Sequence, residues 1–302
     1  MSEALSVLRK FKSSMIVTDP FPYFVIENAL PTEIYEKLSA GYPSSEMILK
    51  HMIRRRQDTA SPMEMQSNTR YDISAVTVHS NPAFDMGPWR DFVLYHTSQA
   101  FLDELLDKLG DVIASSFPQL IPAMQAKAPG GHPRAGVRRF SDDSKNCEIA
   151  LDCQVGMNSK VTGKATSVKS LHLDDSKELY AGLFYCRTPD DTSEGGDLLI
   201  YRRKPGMPLS FYDERFIRPE RAEVAATVPY RANTFALLLN GLDAIHAVSP
   251  RSVTEHPRRL VNIIAEVYPT MPRLFDERPY AERAGPIGLL KSWFGKGQPA
   301  QY

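Results

Sequence analysis

After residue 147 the chain becomes a succession of short apolar runs separated by Gly, Pro, Asn and Asp, and this rhythm constrains the fold more than any other feature. EIALDCQVGM (148–157), ELYAGLFYC (178–186), GDLLIYRR (196–203), VAATVPY (224–230), NTFALLLN (233–240), AIHAVSP (244–250) and RLVNIIAEVY (259–268) each have strand length. Runs punctuated at this spacing predict a β sandwich or barrel. The first half reads differently. Leu5, Leu8 and Phe11 are spaced as on a short amphipathic helix, and DPFPYFVIENAL (19–30) reads as an extended entry strand. The next helix is marked by Pro31 at its first turn, by Leu30, Ile34 and Leu38 on one face, and by Gly41 at its stop.

Residues 49–70 are polar and rich in Met and Arg, which suggests a mobile loop or lid. From Trp89 to Phe117, apolar residues at Phe101, Leu102, Leu105, Leu106, Leu109 and Ile113 predict one long support helix, or two, interrupted at Gly110. Residues 122–145 carry Pro, Gly and charge and read as an exposed excursion. IGLLKSWFGKGQPAQY at the C-terminus reads as a small amphipathic helix with a polar tail, packed on its own domain. The expectation is one domain over 1–302. Helical support and loops occupy 1–146, a β-rich core 147–270, and the tail 271–302.

Lys plus Arg equals Asp plus Glu at 36 each in the 302 residues, so the overall charge recommends neither nucleic acid nor an anionic membrane as partner. No stretch reaches transmembrane length and no signal peptide is visible. Cys147, Cys153 and Cys186, an odd count without C-x-x-C spacing, suit a reducing compartment, so a cytoplasmic location is expected.

SLHLDD (170–175) is the segment with chemistry. His172 and Asp174 are two apart and point to the same side of an extended chain, so both can reach one ion. A third ligand should come from a late strand that a closed barrel returns beside an early one. His246, 74 residues on and just before a Pro-containing turn, fits. Two imidazoles and a carboxylate on one face of a metal leave coordination positions open, as in non-haem iron(II) oxygenases. His51, His79, His96, His132 and His256 are read as surface or core histidines. Trp89 and Trp293 are read as packing anchors. A dicarboxylic co-substrate would need a buried guanidinium. Arg258 and Arg259 open the strand twelve and thirteen residues after His246, and alternation lets only one face inward. Arg259 is preferred, because its face continues through Val261, Ile263 and Ala265. Arg251, in the turn, reads as solvated or substrate-facing.

His172-Leu173-Asp174, His246, and Arg258 or Arg259 at the start of a strand, with the turn Gly195-Gly196-Asp197, resemble the iron(II)- and 2-oxoglutarate-dependent oxygenases, in particular the prolyl-hydroxylase-like branch. The motif-bearing resemblance spans about residues 148–268. It implies a mainly β, α+β fold with a double-stranded β-helix (jelly-roll, cupin-like) core backed by N-terminal helices. It implies Fe(II) held by His172, Asp174 and His246, 2-oxoglutarate as co-substrate paired with Arg258 or Arg259, and O2. Many members of the branch have a Tyr on the strand before H-x-D. This chain has LDCQVGMNS there, where Gln154 or Asn158 could take the contact through an amide. Asp174 implies hydroxylation rather than halogenation. The expected substrate is a small molecule such as an amino acid, a sugar or a natural-product intermediate. The rivals are a hydroxylase of protein side chains, a non-catalytic cupin-like metal- or sugar-binding module, and a zinc hydrolase using Asp175 as base. Oligomeric state is not read from the sequence.

Overall fold

A computed structural model describes residues 2–56, 65–140, 146–205 and 217–275. Its elements in chain order are β1 (Tyr23–Glu27), α1 (Thr32–Ala40), α2 (Ser45–Arg56), β2 (Arg70–Ile73), α3 (Ala75–Ser80), α4 (Trp89–His96), α5 (Gln99–Ser116), α6 (Leu120–Lys127) and β3 (Ala135–Val137). The second half adds β4 (Ile149–Asn158), β5 (Glu178–Tyr185), β6 (Leu198–Arg203), β7 (Ala222–Val228), β8 (Thr234–Leu239), β9 (His246–Val248) and β10 (Arg258–Val267). A larger sheet runs β1-β8-β5-β10-β4-β2, with β3 parallel to β4, and a smaller sheet runs β7-β6-β9.

The two sheets close on each other. Tyr185, Ala236, Leu238 and Leu260 of the larger sheet share one buried cluster with Leu198, Ile200 and Val228 of the smaller. Alternation along the strands puts the opposite face of the larger sheet under the helices. There Val155, Phe184, Val261 and Ile263 pack with Trp89, Phe92, Phe101 and Leu105. The result is an α+β double-stranded β-helix with helices on one side. β4 is buried along its whole length because it has helices on one face and the inter-sheet space on the other, so its sequence does not alternate cleanly.

The structure differs from the sequence expectations at several places in the first half. Residues 3–11 form only a short 3-10 helix at Ser2–Leu5, followed by a turn that buries Val7 and Leu8. The long support helix breaks at Thr97–Ser98 and not at Gly110, which lies inside α5 with open space around it. The break is chemical: Ser98 caps α5 by accepting from the Phe101 amide at 3.3 Å. The expected lid at 49–70 is helical to Arg56 and enters β2 at Arg70. The excursion at 122–145 contains α6 and β3. β1, β2 and β3 thus extend the sheet, flanking β8 and β4, whose open backbone groups need partners. Residues 57–64 and 141–145, and the expected C-terminal helix with Trp293, lie outside the described residues.

The remaining histidines of the helical half bond within the protein, His51 and His96 buried and His79 half-buried. His51 pairs with Thr77 at 2.8 Å, His79 with Thr97 at 2.9 Å, and His96 is fully buried between the Phe92 carbonyl at 2.8 Å and the Val7 amide at 3.3 Å. Burial pushes His96 down to about 3. Its value in the folded chain lies below that of an unfolded histidine, so its contribution is complete above about pH 6.5 and is lost as the pH falls toward 3. His96→Gln is expected to reduce the slope of unfolding free energy between those limits by up to about 1.4 kcal/mol per pH unit. Urea titrations at several pH values check this.

Candidate metal centre

His172 lies in the connection from β4 to β5 and is held against the first residue of β9 by a two-hydrogen-bond bridge. The His172 amide donates to the His246 carbonyl at 3.1 Å, and the His246 amide to the His172 carbonyl at 3.2 Å. Because pairing is extended, Leu173, Ile245 and Ala247 turn outward into their own apolar cluster. His172, Asp174 and His246 turn inward. The rings of the two histidines meet edge to face at 4.2 Å. Asp174 Oδ1 is 3.5 Å from His172 Nε2, and Asp174 Oδ2 is 3.5 Å from His246 Nε2. One donor atom from each of the three lies within 4.8 Å of the others.

Tautomer and charge suit a divalent cation. His172 Nδ1 donates to the Ser170 carbonyl at 2.7 Å and His246 Nδ1 to the Ala244 carbonyl at 2.9 Å, which leaves both Nε2 lone pairs facing the centre. His172 Nε2 is fully buried and accepts from no protein group. Burial, with His172 alongside, pushes His246 down to about 4, so its ring is neutral near pH 7. Burial alone would raise Asp174, but His246, His172 and Lys169 more than offset it and hold the carboxyl well below the usual range. Bonds of about 2.1 Å to one ion put neighbouring donors about 3 Å apart, close to the separations found. The residues present therefore fit a metal.

The centre opens on a cavity of about 380 Å³ between the sheets. Arg258, which is 2% exposed, lines it. Its Nε donates to the Gly196 carbonyl at 2.7 Å and its Nη1 to Asn158 Oδ1 at 3.2 Å, and its guanidinium carbon sits 4.9 Å from the ring centres of both Tyr185 and Tyr230. Its Nη2 is buried without a partner. Gly195 and Gly196 both have φ of +77°, and a β-carbon on Gly195 would collide with the Pro250 carbonyl oxygen, so this turn approaches the β9–β10 connection as only glycine allows.

Arg258, and not Arg259, lines the cavity with the three donors. The apolar face of β10 that Arg259 shares with Val261 and Ile263 packs on the helices, and this arginine lies over Tyr42 at 5.1 Å, outside the cavity. Arg258, Leu260, Asn262 and Ile264 form the cavity side. Arg251 is not solvated: it is 1% exposed and spent on Asp191 (2.7 Å), Ser193 (2.9 Å) and the His256 carbonyl (2.8 Å). Gln154 lines the cavity but is engaged, donating to Asp152 at 2.8 Å and accepting from Arg70 at 3.1 Å. Asn158 braces Arg258. Asp175 does not line the cavity; it accepts from the Lys177 amide at 3.2 Å and faces Arg273 at 3.8 Å.

Sequence reading missed Arg70, Arg138, Glu178 and Asn262 on the cavity wall. Asn262 had a signal, since it shares Arg258's face by alternation. Arg70 and Arg138 had none, because they arrive from the first half by way of β2 and the chain after β3.

No family model and no curated protein matches the chain. Several solved structures are similar to it in fold. A prolyl-4-hydroxylase from Pseudomonas putida aligns at 12% identity over 88% of this chain and 99% of its own, with a TM-score of 0.39. A prolyl hydroxylase from Trichoplax adhaerens, solved with a peptide of the hypoxia inducible factor, aligns at 10% identity over 88% and 90%, with a TM-score of 0.40. HygX from Streptomyces hygroscopicus, solved with nickel and 2-oxoglutarate, aligns at 14% identity over 83% and 84%, with a TM-score of 0.34. At such identities the chemistry of this chain rests on its own side chains.

Added Co(II) or Zn(II) at about a hundred times its dissociation constant is expected to stabilise the protein by about 2.7 kcal/mol. Asp174→Ala and His246→Ala should each abolish that gain, whereas Thr77→Val, which removes a hydroxyl partner of the remote His51, should leave it intact. Thermal denaturation with and without metal measures both.

Proposed function

We propose that the protein is an iron(II)- and 2-oxoglutarate-dependent dioxygenase that hydroxylates an unactivated C–H bond of a small molecule, with succinate and CO2 as co-products. The observation that carries this reading is a pairing inside one cavity. Three metal-type donors converge there, and a buried guanidinium with an unused N–H lines the same cavity. When bound, iron(II) with 2-oxoglutarate and dioxygen supplies the oxidising chemistry, and the protein supplies orientation and exclusion of water.

His172, Asp174 and His246 would hold the metal from one side and leave the other to co-substrate and oxygen. Their orientation is set before metal arrives, since each imidazole is fixed by a backbone carbonyl. Arg258 would pair with the distal carboxylate of 2-oxoglutarate through the free Nη2, while Gly196, Asn158 and the two tyrosine rings keep the guanidinium from turning away. Leu183, Leu198, Val248 and Leu260 line the same cavity and give it dry apolar walls. A cavity of about 380 Å³ suits a co-substrate with a small molecule. The zinc-hydrolase alternative loses its proposed base, because Asp175 stands outside the cavity.

Anaerobic addition of iron(II) and then 2-oxoglutarate should produce the weak visible charge-transfer band of the chelate, and admission of air should yield succinate. A cupin-like binding module would give neither. Arg258→Met should weaken 2-oxoglutarate binding at least about 30-fold, the low end of the 2–5 kcal/mol cost of leaving a buried charge unpaired. Arg259→Met should change it by less than about twofold, and the reverse ranking would refute the assignment. Incubation with separate metabolite and protein fractions of an extract, read by mass spectrometry, distinguishes the small-molecule reading from protein hydroxylation.

A further inference from the structure

Hydrogen-bond accounting around the cavity wall away from Arg258 leaves an imbalance. Each cationic side chain there already has a partner within the protein. Arg138 reaches Glu266 at 2.5 Å and Asp152 at 3.6 Å. Arg70 donates to Gln154 at 3.1 Å and lies 3.5 Å from Asp72, and Gln154 donates to Asp152. Lys169 reaches Asp174 at 3.2 Å. The acceptors are not all spent. Glu178, at the start of β5, lines the cavity and makes no hydrogen bond or ion pair through its carboxylate among the described residues. Asn262 Oδ1, on β10, is buried and unpartnered. Glu178 is half-buried and its carboxylate has no protein partner among the described residues, so a ligand that brings N–H donors to this wall gains charge-assisted bonds there.

Charge points the same way. Glu178 is paired across the β5–β10 ladder with Glu266, whose carboxylate already takes Arg138. Burial, Asp174 and Glu266 push Glu178 up to about 7, against the smaller opposing pull of Arg138 and Lys169. Its carboxylate has no direct ion pair among the described residues, and a cationic group on a ligand would supply one.

We infer that Glu178 on the cavity wall selects a substrate that carries a protonated amine or guanidine. This deepens the oxygenase reading and rests on it: the cation anchors one end of the substrate in the cavity that also holds the metal site. Recognition takes a carboxylate that accepts charge-assisted N–H bonds in a partly dry site, where neutral isosteres leave the carboxylate unpaired.

The test uses the full chain loaded with Zn(II) and saturated with 2-oxoglutarate, and isothermal calorimetry with cadaverine and agmatine against pentanediol and adipate. The two cations should bind at least tenfold tighter than the diol and the diacid. Glu178→Gln should erase that preference and Glu178→Asp should keep part of it, so a folded, cation-selective Asp variant separates recognition from loss of structure. Equal binding of all four probes, a preference for adipate, no binding of either cation, or an unchanged preference in Glu178→Gln would overturn the inference. The parent reading fails separately: without an iron(II)/2-oxoglutarate charge-transfer band the oxygenase assignment falls, while cation selectivity at Glu178 is still decided by the zinc-loaded titration.

Discussion

The two-residue bridge between His172 and His246 is the contact on which the site depends. It joins segments 74 residues apart with a pair of backbone hydrogen bonds, and the extended geometry of that pairing decides the direction of every side chain nearby. With Leu173, Ile245 and Ala247 buried on the outer side, His172, Asp174 and His246 have no choice but the inner side. A slip of one residue would put apolar side chains at the centre and the polar trio in an apolar cluster. The outer cluster therefore enforces the register that brings the donors together. The carbonyls of Ser170 and Ala244 then hold the rings, so the same backbone that closes the sheet also orients the ligand atoms.

A second constraint follows from the two-sidedness of the larger sheet. β4 and β10 are covered on both faces, yet the faces do different things. One carries Val155, Val261 and Ile263 into the helical core. The other carries Asn158, Gln154, Arg258 and Asn262 toward the inter-sheet cavity, and register pairs Arg258 with Asn158 and Asn262 with Gln154 across the ladder. Helices on the outer face let the inner one be polar. The apolar face supplies burial, and the opposite face can hold charged and amide groups whose remaining valences are met by neighbours or by a ligand.

Much of this was legible in the sequence where the signal is local. The β-rich second half, H-x-D with its period of two, and a late histidine before a turn all depend on spacing along one strand. The break in the long helix was also local, a serine cap at Ser98 that outweighed the more conspicuous Gly110. Arg259 shares the helix-packed face of β10, although the continuous apolar face on which it lies suggested the barrel interior. In a sheet backed by helices, the more apolar face is the one under the helices, and the interior of a working cavity is the mixed one.

The sequence by itself determined the short-strand architecture and singled out three donor residues that the fold brings within 4.8 Å of one another, because alternation and turn chemistry are properties of neighbouring residues. Tertiary structure decided which arginine enters the cavity, that Arg251 is locked to Asp191, and that Arg70 and Arg138 from the first half reach the cavity wall. These outcomes depend on which face of a strand meets another layer, and on which partners consume each donor. Both are set by contacts between segments far apart along the chain, and spacing along it carries no record of them.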